Sequence, residues 1–232
     1  MNILAIDSSS KAASCAYMEN GAVIGEYYTN AGLTHSQTIL PMIENMLSQI
    51  NRTIDNVDTM AITIGPGSFT GLRIGLATVK GLCFGRSIKA APVSTIETLA
   101  YNLLHFTGMI IPVMDARRSQ VYTGVYISNG KSLTNKLPDT TLKISELGEY
   151  IKSNCGNLTP VLVGDGAELC YNSLKESIPN LGIAPPQLLH QRASSLCTAV
   201  LTGEHSPVDP EKLEPEYLRM SQAERELKSK QN

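Results

Sequence analysis

The sequence has no run of about 18 apolar residues, so no segment reads as a membrane span. It has no excess of one charge either: 19 Lys plus Arg against 21 Asp plus Glu leave a formal charge of −2. Binding to a nucleic-acid backbone needs a concentrated basic surface. The only dense basic spots are Arg117-Arg118 and the mixed-charge tail after Glu211. Tight independent binding is therefore not expected, and a surface shared with a more basic partner stays open. The five cysteines (Cys15, Cys83, Cys155, Cys170, Cys197) are odd in number, far apart and without a Cys-x-x-Cys pair. They suggest neither a zinc site nor a disulfide framework, but free thiols in a reducing cytosol. The four histidines (His35, His105, His190, His205) show no ligand spacing, and no G-x-S-x-G or H-E-x-x-H motif is present. The apolar residues 3–6 have no basic stretch before them and run into Asp7. They read as a buried first strand rather than a signal peptide, and a cytoplasmic protein is expected.

What is present is an ordered series of elements. Residues 2–7 and 13–18 read as strands, and Asn20-Gly21 before the run 22–28 is a strong hairpin signal. Thr34-His-Ser-Gln37 reads as a capping box opening a helix over 34–50. Residues 59–64 form an apolar strand entering Gly65-Pro-Gly-Ser-Phe-Thr-Gly71 and a helix over 68–84. A strand over 87–93 follows, then a helix opened by Ser94 and Glu97, a second candidate capping box. The layout then repeats faintly. Met109-Ile-Ile-Pro-Val-Met-Asp115 ends in an aspartate 108 residues after Asp7, a strand over 120–127 follows, and Pro160-Val-Leu-Val163 enters Gly164-Asp-Gly-Ala167 and a helix. An α/β chain repeating one topology predicts a two-lobed actin-like ATPase superfold, with mixed five-stranded sheets flanked by helices. The first lobe is expected over 1–104, completed by 210–232, and a second, smaller lobe over 105–209, with a loose tip over 223–232.

The glycine loop sits where backbone N–H groups and a helix dipole favour an anion. Yet Gly65 and Gly71 are one residue too far apart for a Walker loop, Leu72 stands in place of its lysine, and Thr70 occupies the last glycine of a dinucleotide fingerprint. A tight turn packing a helix closely on a sheet explains the same glycines. At Asp7-Ser-Ser-Ser10, Ser9 fills the position where actin-like kinases carry a phosphate-loop glycine, and its Cβ restricts the backbone. Weak or absent ATP binding is expected.

Several stretches together resemble the TsaB (YeaZ) family. They are Ile3-Leu-Ala-Ile-Asp-Ser-Ser-Ser10, His35-Ser-x-x-x-Leu40-Pro41, Gly65-Pro-Gly-Ser-Phe-Thr-Gly-Leu-Arg-Ile-Gly75, Lys80-Gly-Leu82, Asp115-Ala-Arg-Arg118, Gly164-Asp-Gly-Ala167 and Pro215-Glu-Tyr-Leu-Arg219. The resemblance runs in order over nearly the whole chain, and the stretch 65–75 is its most specific part. It implies an accessory subunit of TsaD, the enzyme that transfers a threonylcarbamoyl group to the adenosine beside the anticodon of tRNA. TsaE, an ATPase, completes that assembly. It also implies a homodimer when the chain is alone, tRNA met only through the complex, no cofactor of its own, and ATP or ADP bound only within the complex. TsaD shares the superfold and holds its metal partly by two histidines four apart. The matching positions here are Thr95 and Leu99, which offer no comparable ligands. No catalytic or metal-ligating residue is assigned. The competing reading is an enzyme, an actin-like kinase or a metallopeptidase. Asp115 with Arg117 and Arg118 reads either as an active-site cluster or as a charged turn facing solvent.

Two helices carry the partner expectation. On the helix 34–50 the apolar side chains spread over about 160°, wider than one core-facing stripe needs. The helix 68–84 has only Arg73 and Lys80 as charges and is apolar nearly all round. The expected interface is Ile39, Met42, Ile43, Met46, Phe69, Leu72, Arg73, Leu76, Val79 and Lys80, with Met46 and Leu76 at the seam. His35, early in its helix, is expected on the surface or in that interface. The alternative is that the two helices cover each other.

Overall fold

The computed structural model describes residues 1–203 and 205–218. The expected loose tip over 223–232 and Arg219 of the last family stretch lie outside the described residues. The chain opens with strands β1 (Asn2–Asp7), β2 (Ala13–Glu19) and β3 (Ala22–Thr29), then helix α1 (His35–Gln49), β4 (Thr59–Gly65), α2 (Phe69–Cys83), β5 (Lys89–Ser94) and α3 (Thr95–Tyr101). The second half repeats this with β6 (Thr107–Asp115), β7 (Gln120–Asn129), β8 (Leu133–Lys143), α4 (Ile144–Asn154), β9 (Pro160–Val163), α5 (Ala167–Leu174), β10 (Gly182–Ile183) and α6 (Ala193–Thr202). The sheets are ordered β3-β2-β1-β4-β5 and β10-β9-β6-β7-β8, so strand for strand the two halves have one topology. In each, a meander of three antiparallel strands is extended by two parallel ones.

Local chemistry explains the elements. Asn20 (φ 51°) and Gly21 (φ 84°) both take the left-handed conformation that a two-residue hairpin turn requires. β1 and β4 are buried on both faces, which is why they read as unbroken apolar runs. One face of the first sheet is covered by α1 and α2, whose Ile39, Ile43, Met46, Leu76 and Val79 meet Leu4, Ile6, Tyr17, Met60 and Ile62. The opposite face carries Ile3, Ala5, Ala16, Met18 and Ala61, and it is α6 of the second half that covers them, through Leu196 and Cys197. Correspondingly α3 of the first half packs Ile96 and Leu99 against Ile110, Met114, Tyr126 and Val163 of the second sheet. The third helix of each half is thus exchanged between the sheets, and α3 and α6 touch where they cross.

The segment 208–217 returns to the first sheet: Val208 bridges Ala90, Leu213 enters the core under α2, and the Glu216 N–H donates to Ile64 O at 2.7 Å. Two expected helix starts differ in detail. Ser94 does cap α3, accepting from Ile96 N and Glu97 N at 3.0 and 3.3 Å. Thr34 makes no side-chain cap at α1; the Gln37 N–H donates to its carbonyl oxygen instead. Among the described residues no helix is long and apolar enough to cross a membrane.

Candidate partner face beside a closed glycine loop

The loop between β4 and α2 is packed against the hairpin loop that follows β1. The Ser68 N–H donates to Ser9 O at 2.7 Å, and the Ser8 hydroxyl donates to Gly71 O at 2.9 Å. A Cβ added at Gly67 would lie 2.3 Å from Ser9 O, and one at Gly71 2.1 Å from Ser8 O. Gly65, at φ 133°, approaches Glu216 O just as closely. These glycines therefore serve chain-on-chain contact, and the close-packed turn foreseen as the alternative to an anion loop is what the chain builds. Ser68 caps α2 by accepting from Gly71 N at 3.2 Å, which uses a further amide at the helix N-terminus.

Asp7, at the end of β1, is fully buried. Its Oδ1 accepts from the Ser9 N–H and hydroxyl at 2.9 and 2.7 Å. Burial raises its pKa, and the hydrogen bonds from Ser9 oppose the rise only in part. His35 lies half-buried with Nε2 2.6 Å from Ser10 O, so it clamps the hairpin loop rather than facing outward; this corrects its expected surface placement. Thr95 and Leu99 are fully buried, Leu99 among apolar side chains of the second sheet. Among the described residues, no group of three or more His, Cys, Asp or Glu side chains comes together as a metal site.

The ten residues expected at the interface divide. Ile39, Ile43, Met46, Leu72, Leu76 and Val79 are all at most 4% exposed, inside the chain's own core. A partner cannot reach them in the folded chain, so Met46 and Leu76 are not seam residues. The reason is the sheet beneath: the bulky edges of α1 and α2 both turn down onto it, and the two helices also touch each other. Phe69, Arg73 and Lys80 point elsewhere, toward the returning segment. Phe69 stacks on Tyr217 with ring centroids 4.3 Å apart, Arg73 Nε donates to the Tyr217 hydroxyl at 3.0 Å, and Lys80 donates to Glu211 O at 3.2 Å. Met42 lines an open groove of about 530 Å³ with Tyr27, Tyr28, Leu33 and Pro41 between β3 and α1, and Lys80 a second of about 440 Å³ beside the returning segment.

What the two helices leave in solvent is a different set. On α2, Thr70, Ala77 and Gly81 are exposed and Ile74 is half-buried, a flat stripe at helical spacing without charge. On α1, Leu40 is 40% exposed and Pro41 stands beside it; Leu33, just before the helix, is 57% exposed. Gly71 and Gly75 of the same helix are buried instead and press on Ser8.

Twin sheets with a strand, a glycine turn and a helix at the cleft between them make this an actin-like ATPase fold whose first glycine loop is filled by its own chain. A family model described as TsaD, tRNA N6-adenosine threonylcarbamoyltransferase, matches residues 29–227. The tRNA threonylcarbamoyladenosine biosynthesis protein TsaB of Bacillus subtilis is 34% identical over 97% of this chain and 96% of its own length. The Escherichia coli protein of the same name is 29% identical over the full length of both. A solved structure of YeaZ from Pseudomonas aeruginosa superposes with a TM-score of 0.74 at 26% identity, covering 94% of this chain and 99% of that one. A second structure from that organism, described as similar to peptidase YeaZ, reaches 0.78 over the same shares at the same identity. The chain belongs to the TsaB (YeaZ) family of tRNA threonylcarbamoyladenosine biosynthesis proteins.

Proposed function

We propose that the chain is a non-catalytic subunit that docks onto TsaD and supports threonylcarbamoyl transfer to the adenosine beside the anticodon of tRNA. The observation that carries this reading is the closed glycine loop: the Ser9 carbonyl accepts from the Ser68 N–H and lies too near Gly67 to leave room for a Cβ, so the loop is packed by its own chain. With that loop closed, the reading turns to the chain's surface. The exposed stripe Thr70, Ile74, Ala77 and Gly81 of α2, with Leu40, Pro41 and Met42 of α1, is the docking face. Small side chains let another helix approach closely, and the lack of charge keeps the desolvation cost low. The same face pairs two copies when the chain is alone. TsaE joins the assembly, the chain has no cofactor of its own, and ATP or ADP binds only within the complex. Calorimetry on the isolated chain should show no ATP binding as tight as about 10 μM, equivalent to about −7 kcal/mol; tighter binding would mean that the loop opens.

Two substitutions test the face. Ala77→Asp puts a carboxylate on an exposed site, so the chain should melt as before. In a docked seam that charge is buried without a partner, costing about 3 kcal/mol or more and weakening association over a hundredfold. Met46→Asp buries the charge in the chain's own core and should unfold the protein. Sedimentation with TsaD, thermal melting and a reconstituted tRNA modification assay read the outcomes. Undiminished TsaD binding by Ala77→Asp removes this face from consideration. Modification, phosphorylation or peptide hydrolysis by the pure chain, abolished by a point change in it, overturns the non-catalytic reading.

A further inference from the structure

The twin halves diverge at one point the partner reading leaves unused, the hairpin loop after each first strand. In the first half this loop is Ser8-Ser-Ser10, buried and held down by the glycine loop. In the second half it is Ala116-Arg-Arg-Ser119, which the second glycine turn does not press on. The second glycine turn packs one step earlier, under the strand: a Cβ at Gly164 would lie 2.2 Å from Val113 O, and the Gly166 N–H donates to that same oxygen at 3.1 Å. Arg117, Arg118 and Ser119 consequently project into solvent.

Their backbone is unusual. Arg117, Arg118 and Ser119 have φ of 67°, 57° and 56°, three consecutive residues other than glycine in the left-handed region. Each such residue costs on the order of 1 kcal/mol or more. The conformation is fixed from every side. The Asp115 carboxylate accepts from Arg117 N at 2.7 Å and from its guanidinium at 3.2 Å. Gln120 N–H donates to Arg117 O, Ala116 N–H to Gln120 O, and Ile144 N–H to Ser119 O, all at 3.0 to 3.1 Å. Arg117 is tied at its base with its side chain 81% exposed, and the Arg118 guanidinium meets no other side chain among the described residues. Lys11, the exposed residue of the first hairpin loop, faces the same mouth, close enough to act electrostatically on Asp165, which accepts from the Asp115 N–H at 3.2 Å.

We propose that the Arg117-Arg118 hairpin is a contact for the phosphodiester backbone of RNA, Arg118 being the free cation and Arg117 the one oriented by Asp115. This rests on the subunit reading above, in which the chain meets tRNA within a complex. A free nucleotide fits less well. A terminal phosphate is cradled by a run of backbone amides, whereas those of Ala116, Arg117 and Gln120 are already bonded within the loop and only the pair at Arg118 and Ser119 remains. What the loop offers is a pair of long, rigidly based guanidinium groups, suited to diester oxygens on an extended surface. In a chain of net charge −2, one or two such contacts add to a partner's basic surface without binding RNA tightly alone.

The test measures labelled tRNA affinity against salt concentration in two arms: the complex with TsaD at about 0.1 M salt and above, and the chain alone at about 20 mM. In both arms Arg118→Ala should weaken binding several-fold and lower the slope of log K against log salt by about one, Arg118→Lys should keep the slope, and Lys131→Ala, at the other end of β7, should change nothing. Arg118→Gly, which relieves the left-handed strain, should melt no lower than wild type while losing RNA affinity as Arg118→Ala does. Equal slopes for wild type and Arg118→Ala in both arms overturn the proposal, as does a loss that appears with ATP and not with tRNA. If no complex forms with TsaD, the subunit reading fails, and the low-salt arm still decides the role of Arg118.

Discussion

Asp7 shows what burial does to a single carboxyl group. It ends β1 at the head of the cleft, fully buried, with Oδ2 and the Thr63 hydroxyl both lacking another hydrogen-bond partner. Burial raises its pKa above the ordinary carboxylate value, so the folded chain keeps a proton that the unfolded chain loses. Asp139 behaves alike: burial pushes it up to about 6, opposed by the hydroxyl of Ser94, which donates to it. For both groups the stabilisation is complete below the unfolded value, near 4, and is lost as pH rises through the folded one. Urea unfolding should therefore show stability falling from pH 4 upward, by up to about 1.4 kcal/mol per pH unit for each group titrating. Asp7→Asn should flatten that fall, since an amide keeps the hydrogen-bonding geometry without titrating. An unchanged profile would show Asp7 ionised in the fold.

At the scale of the element, α2 carries glycines of opposite meaning. Gly71 sits against Ser8 O with no room for a Cβ, whereas Gly81 has nothing within 4 Å of where a Cβ would stand. Gly71→Ala must push the hairpin loop away and should lower the melting temperature sharply, by an amount equivalent to several kcal/mol. Gly81→Ala, in helical backbone, should stabilise by about 0.5–1 kcal/mol while weakening partner association, since it adds bulk to the flat stripe. Differential scanning calorimetry of the pair checks both signs; equal melting temperatures would mean that the loop contact is loose. Pattern reading passed over α4, α6 and β8, and β8 shows why. Its residues run Leu133-Thr-Asn-Lys-Leu-Pro-Asp-Thr-Thr-Leu-Lys143, mostly exposed or half-buried, at the sheet edge and with shifts in register. An edge strand tolerates a proline and needs no apolar face, so it leaves little periodic signal. β10 is two residues long and leaves less.

For the molecule as a whole, the exchange of α3 and α6 ties the halves together. A fragment of residues 1–104 would contain the first sheet but not α6, leaving Ile3, Ala5, Ala16 and Met18 uncovered. It would also carry α3 without the second sheet that buries Ile96 and Leu99. Such a fragment should express as an aggregate or a loosely packed state that binds a hydrophobic dye and lacks dispersed amide resonances. A well-dispersed spectrum from it would show that the halves are independent folding units. The returning segment 208–217, outside that fragment, adds the bridge from Val208 and the ring of Tyr217 to the first half.

The sequence by itself determined the elements of the first half, their partial repeat in the second and the serine in a phosphate-loop glycine position, because these rest on local signals. Asn20-Gly21 demands a turn, apolar runs demand burial, and Ser9 in a glycine position restricts the backbone wherever it lies. The family stretches were equally legible, being contiguous. Which face of α1 and α2 looks outward was decided only by the tertiary structure. A helical wheel reports how much of a helix is apolar, not what lies beneath it. Met46 and Leu76 read as surplus until the first sheet, α1 and α2 close over them, while Phe69 and Arg73 were taken by Tyr217, 148 and 144 residues further along the chain. The exposure of Arg117 and Arg118 was decided in the same way: it depends on where the glycine turn of the second half packs, and that is a property of the assembled sheet.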